Sequence, residues 1–140
     1  MKRLMLLVIT GLLVLVPAVS PAETLSGKVV KVPSGDAIVV EIDGTQRTFV
    51  LAGIISPTGV PALAEKAKKN LSAKVKNQEV RIQTLGEGDK RGTPAAVWVG
   101  KRSINTEMVR AGWARHDTAR PEYKMLARAE DEAKAADRGV

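Results

Sequence analysis

The chain has 140 residues, a formal net charge of +7, no cysteine, one histidine and 3% aromatic residues. That length suits one domain. The lack of cysteine excludes disulfides, thiolate metal sites, lipoprotein acylation and a cysteine nucleophile, and the single histidine, His116, excludes a histidine-rich metal site. So few aromatics argue against a base-stacking platform.

Lys2 and Arg3 precede an apolar run over residues 4–16, and Ser20-Pro21-Ala22 sets small residues at a cleavage position. This is the three-part pattern of a secretory signal peptide. The run is short against the ~20 residues of a spanning helix. The expectation is a signal peptide over 1–22 and a domain over 23–140, exported to the periplasm or the extracellular medium. An uncleaved anchor is the alternative.

The domain opens with alternation over 25–32, LSGKVVKV, which ends at the turn cluster Pro33-Ser34-Gly35. AIVVEI at 37–42 is a second strand. Asp43-Gly44 tolerates positive φ at both positions and predicts a hairpin into TQRTFVLAG. Leu63, Ala67, Leu71 and Val75 then recur every four residues, one face of a helix begun by Pro61. Glu65 and Lys69 stand four apart on it, a favourable helix pair, and Lys66, Lys68, Lys69, Lys74 and Lys76 read as its solvated side.

Alternation returns at 77–86, with Val80 and Ile82 inward. GEGDKRGTP is a glycine- and charge-rich loop, and 94–104 forms a strand pair around Gly100-Lys101. A short helix follows over 104–112, with Asn105 as its expected N-cap and Ile104–Val109 as a hydrophobic staple. A last helix spans 121–139. The order βββ-α-ββ-α-α describes an α+β domain, a five-stranded barrel of the OB type with three helices.

GKVVKVPSGDAIVV, RTFVLAGIISPTG, GDKRG, INTEMVRAG and AEDEAKAADRG, in this order and spacing, resemble the thermonuclease, or staphylococcal nuclease-like, domain over nearly all of 25–140. The resemblance implies calcium-dependent hydrolysis of DNA and RNA. Two aspartates and a backbone carbonyl would hold the ion, a glutamate would handle the water, and two arginines would meet the phosphate charge. Calcium takes hard oxygen ligands, and guanidinium forks match phosphate oxygens.

Carried onto this chain, the first metal aspartate is Asp36, and the second is replaced by Ile55. The two arginine positions hold Val50 and Thr93, and the glutamate position holds Thr58. Leu51, Ile54 and Pro57, which shape the strand and loop, persist. Losing one charge-stabilising donor costs ~10²–10³ in rate. The expectation is an exported, inactive relative acting as a binding or accessory module, with no cofactor and with Asp36 only as a remnant metal ligand. A divergent phosphodiesterase using Asp36, Lys90 and Arg91 is the rival reading.

On the residues alone, Asp36 reads as a turn residue capping its own backbone. His116 reads as a strand-end or solvent-facing side chain, and Trp98 and Trp113 as core or rim. Val50 and Ile55 are expected to extend the apolar interior into the former pocket. Lys90, Arg91, Lys101, Arg102, Arg110, Arg115 and Arg120 are candidates for a stripe that tracks a polyanion such as nucleic acid. An envelope protein is the alternative partner.

Overall fold

Strand alternation builds the first half of the domain as a meander. The structure is a computed structural model that describes residues 23–117 and 135–136. Strand β1 runs Thr24–Ser34, β2 Ala37–Ile42 and β3 Thr45–Leu51. Asp43 (φ 50°) and Gly44 (φ 78°) make the tight turn between β2 and β3, as the Asp-Gly pair predicts. β1 pairs with β2 on one side and with β5 (Glu79–Thr84) on the other. Its register against β2 shifts after Val29 and again after Lys31. Such irregularities bend a strand and raise its twist, which lets a short sheet curl.

The sheet order is β3-β2-β1-β5-β6, where β6 is Thr93–Val99. Phe49, Val50 and Leu51 of β3 then pair in parallel with Thr93, Pro94 and Ala95 of β6. That last pairing closes five strands into the expected α+β barrel. β7 (Arg102–Ser103) extends β6, and β4 (Ile54–Ile55) pairs separately with β8 (Arg115–His116).

Helix α1 (Pro61–Val75) lays Ala67, Leu71 and Val75 onto the barrel, all fully buried, while Leu63 is only half-buried. The backbone N–H of Asn77 donates to Val29 O (3.0 Å), and Val29 N–H to Gln78 O (3.1 Å), so the end of α1 is tied to β1. Helix α2 is Ile104–Arg110. The core joins Val29, Ile38, Val40, Phe49, Leu51 and Ile82 of the barrel to Leu71 of α1 and Met108 of α2. Each such side chain contributes about 1.5–3 kcal/mol on burial. Two helices lie among the described residues; the expected third, over 121–139, falls outside them apart from residues 135–136.

The start of α2 corrects the sequence reading. Its N-cap is Ser103, whose Oγ accepts from Thr106 N–H (3.3 Å), and Ile104 is the first helical residue rather than one arm of a staple. Asn105 is buried instead. Its Oδ1 accepts from Val97 N–H (3.0 Å), and its Nδ2 donates to Ala52 O (2.9 Å) and Ala95 O (3.1 Å). A side-chain amide six residues past the end of β6 reaches back to that strand's backbone, and burial rewards a fully used amide over an exposed cap.

Glu107 of α2 receives two bonds from Arg102 (2.6 and 2.7 Å) and lies 3.7 Å from Lys74 of α1. The Arg102 hydrogen bonds hold its carboxyl below the ordinary value of 4.5, against the opposing pull of burial. A depressed carboxyl stabilises the fold above its unfolded pKa, and that contribution is lost as pH falls through the folded value.

Two outcomes follow. Asn105→Ala leaves Val97 N–H without its partner and should cost about 1–3 kcal/mol in urea unfolding. In Glu107→Gln the loss of stability on acidification below about pH 4.5 should be shallower than in the parent, read from urea midpoints across the acid range.

Candidate functional site

The barrel closure that joins β3 to β6 also assembles one mouth of the barrel. Ala37 pairs with Val50, and Val50 with Pro94. Leu51 N–H donates to Asp36 O at 2.7 Å. The segments around Asp36, Val50 and Thr93 therefore lie side by side, although 57 residues separate the first from the last in the chain. Ile55 and Thr58 follow from β4 and the loop after it.

Asp36 is the charged side chain buried at this mouth, 6% exposed. Its carboxylate does not cap its own backbone. Ser34 Oγ donates to Oδ1 (2.8 Å), and Arg91 Nη2 donates to both Oδ1 (3.0 Å) and Oδ2 (2.9 Å). Arg91 reaches it from the β5–β6 loop. That loop lies close against β3 at Gly92 (φ 136°), where a Cβ would come within 2.7 Å of Thr48 O. Asp89 shapes the same turn by accepting Arg91 N–H at 2.8 Å. The hydrogen bonds that Arg91 donates to Asp36, and then the charge of that carboxylate, raise the Arg91 pKa above its already high ordinary value. The guanidinium is thus permanently charged and committed to an internal carboxylate.

A calcium ion fits this arrangement poorly. It takes six to eight oxygens. Both Asp36 oxygens already accept from Arg91, and the second aspartate position is the hydrocarbon Ile55. Among the described residues no group of three or more His, Asp or Glu side chains converges.

Val50 and Ile55 do not extend the apolar interior. Ile55 is 51% exposed, one of two large exposed hydrophobics among the described residues. Val50 is half-buried, between buried Phe49 and Leu51. Strand geometry explains both: successive side chains point to opposite faces. With Phe49, Leu51 and Ile54 turned inward, Val50 and Ile55 face away from the core. Thr58 is exposed and Thr93 half-buried.

The basic candidates do not form one stripe. Lys90 and Arg91 precede β6, while Lys101 and Arg102 follow it. Seven strand residues at ~3.3 Å each put about 20 Å between the two pairs. Arg91 is engaged by Asp36 and Arg102 by Glu107. Arg110 is at the exposed end of α2, and Arg115 lies in β8 opposite Ile55. Arg120 is outside the described residues. His116 is half-buried in β8 opposite Ile54, and Trp98 packs its ring under Arg81, 4.7 Å from the guanidinium carbon.

A family model described as staphylococcal nuclease homologue matches residues 48–140. The chain belongs to the staphylococcal nuclease family. It is 34% identical over 117 residues to a thermonuclease of Staphylococcus hyicus, across 78% of this chain and 69% of that protein. It is 36% identical over 88 residues to an uncharacterized endonuclease of Haemophilus influenzae, across 62% of this chain. The match spans 49% of that relative's length.

Sequence reasoning missed two features of this family member. The Arg91–Asp36 pair spans 55 residues, so no local pattern signals it. The outward direction of Val50 was available from the alternation of its neighbours. Arg91→Ala should destabilise the domain by about 1–2 kcal/mol, the lower end for a buried carboxylate losing its partner, because Arg91 is 62% exposed. Ile55→Asp should shift stability by less than about 0.5 kcal/mol in thermal melts, as an exposed substitution does.

Proposed function

We propose that this chain is a non-hydrolysing member of the staphylococcal nuclease family, exported through the segment 1–22, that serves as a binding or accessory module. The observation that carries the reading is the bond from Arg91 Nη2 to both oxygens of Asp36. The carboxylate expected to hold a metal is neutralised by a guanidinium of the same chain. Val50 and Thr93 offer a scissile phosphate no charge, and Thr58 offers no base for the attacking water. A phosphodiester repels a nucleophile unless cations neutralise it, so the positions that would lower the barrel mouth's barrier to hydrolysis are chemically silent. Calcium is not part of this reading.

The relatives' names, thermonuclease and endonuclease, favour a second reading, a divergent phosphodiesterase using Asp36, Lys90 and Arg91. One assay separates the two. Purified chain beginning at Glu23 is incubated with single- and double-stranded DNA and RNA, with calcium and with chelator. No cleavage above the buffer control is expected under any condition. Calcium-dependent cleavage that disappears in Asp36→Ala would establish the second reading in place of the first.

A further inference from the structure

The lysines of α1 are not one uniform solvated face. Lys74 turns toward α2 and lies 3.7 Å from Glu107. Lys68, Lys69 and Lys76 turn the other way, toward β1. With Lys31 of β1 they line a 290 Å³ groove, together with Ser72 and Glu65, over a floor of Val30 and Val32. Glu65, Lys68, Lys69, Ser72 and Lys76 follow the i, i+3, i+4, i+7, i+11 spacing that places residues on one side of a helix. The groove is therefore a designed consequence of helix period and of where α1 crosses the barrel.

Two further features distinguish it from ordinary surface charge. None of Lys31, Lys68, Lys69 and Lys76 makes an ion pair among the described residues, and the expected Glu65–Lys69 pair is not formed within salt-bridge distance. Four cations thus share one concave site with a single carboxylate. The groove is also rigidly built, because the bonds of Asn77 and Gln78 to Val29 fix the end of α1 on β1. Crowding like charges in a concavity raises the local positive potential and draws anions.

We propose that this groove between α1 and β1 is an anion-binding track for a single-stranded phosphodiester chain, read through its backbone and not its bases. The inference rests on the reading of this protein as a binding module. Lys68 to Lys76 spans about 12 Å along the helix, room for about two or three consecutive phosphates. Lysines are point charges that accept a phosphate from any direction, which suits sequence-independent contact. Val30 and Val32 line the same groove, and a lysine can lay its aliphatic stem on such apolar surface while its ammonium group stays in water. A flat membrane would meet only the rim of a concave site whose apolar residues lie on its floor, with Val32 buried. The barrel mouth, by contrast, has its principal cation tied to Asp36.

The test is binding of a fluorescein-labelled single-stranded oligothymidylate by anisotropy, in chelator, across a salt series. Two variants with equal charge loss are compared. Lys68→Gln/Lys76→Gln removes two of the groove's four lysines, while Lys28→Gln/Lys66→Gln removes two lysines outside it. Glutamine matches lysine in helix propensity, and thermal melts verify the fold. The groove variant should lose about tenfold in affinity at low salt, and its log–log salt slope should fall by about 0.7 for each lysine removed. The Lys28/Lys66 variant should stay within about twofold of the parent.

Equal losses in both variants would reduce the effect to net charge and overturn the groove. Absence of binding by the parent at low salt would overturn it as well, as would binding to anionic phosphatidylserine vesicles without binding to the oligonucleotide. Calcium-dependent cleavage in the separate assay would sink the non-hydrolysing reading and leave the groove standing if the two variants still differ.

Discussion

The amide of Asn105 holds the barrel shut. β3 and β6 share only three register pairs, and they run parallel, the weaker arrangement per residue. Asn105 adds a bond to β6 at Val97 N–H and two to the carbonyls of Ala95 and Ala52, on both sides of the seam. Ala52 N–H also donates to Ala95 O at 2.8 Å. One side chain from α2 thereby fastens the first half of the domain to the second. An open seam would expose two strand edges. It would also scatter Asp36, Val50 and Thr93, which come together only because β3 meets β6.

The same seam sets the electrostatics of the mouth. A buried carboxylate is costly unless it is paired and hydrogen-bonded. Asp36 meets that requirement from within the chain, through Arg91 and Ser34. The Asp36 carboxylate is therefore balanced before any ligand arrives. Arg102, Glu107 and Lys74 form a second closed set where α2, β7 and α1 meet. Along the outer side of α1 the opposite holds: four lysines share a groove with one carboxylate, and none of them makes an ion pair among the described residues. The protein thus separates cations spent on its own architecture from cations turned toward solvent.

Much of this was legible in the sequence, and the reasons are local. Alternation over 25–32 and 37–42, the Asp43-Gly44 turn and the four-residue recurrence through Val75 each depend on neighbours in the chain, and each element formed near its expected bounds. The family motifs, read in order, led to the barrel. What stayed hidden was long-range. Asn105 looks like a helix cap because the sequence cannot show a strand passing beside it. Arg91 looks like a mobile loop cation because its partner is 55 residues away. The lysines of α1 look uniformly solvated because the sequence does not tell which side of the helix faces β1. The direction of Val50 and Ile55 is a different case. Their neighbours Phe49, Leu51 and Ile54 already implied it, and the attraction of an apolar residue to the core was weighed above its place in the alternation.

The outward placement of Val50 and Ile55 bears on how this scaffold can change. The interior is filled by Phe49, Leu51 and Ile54, the neighbours that point the other way. Ile55, 51% exposed, bears little of the packing. Chemistry and architecture thus occupy interleaved residues of the same strands, one set for each face. Functional groups can be removed from such a rim, or grafted back onto it, while the barrel beneath keeps its shape. In this scaffold the loss of an activity and the loss of a fold are separate events, and the first need not lead to the second.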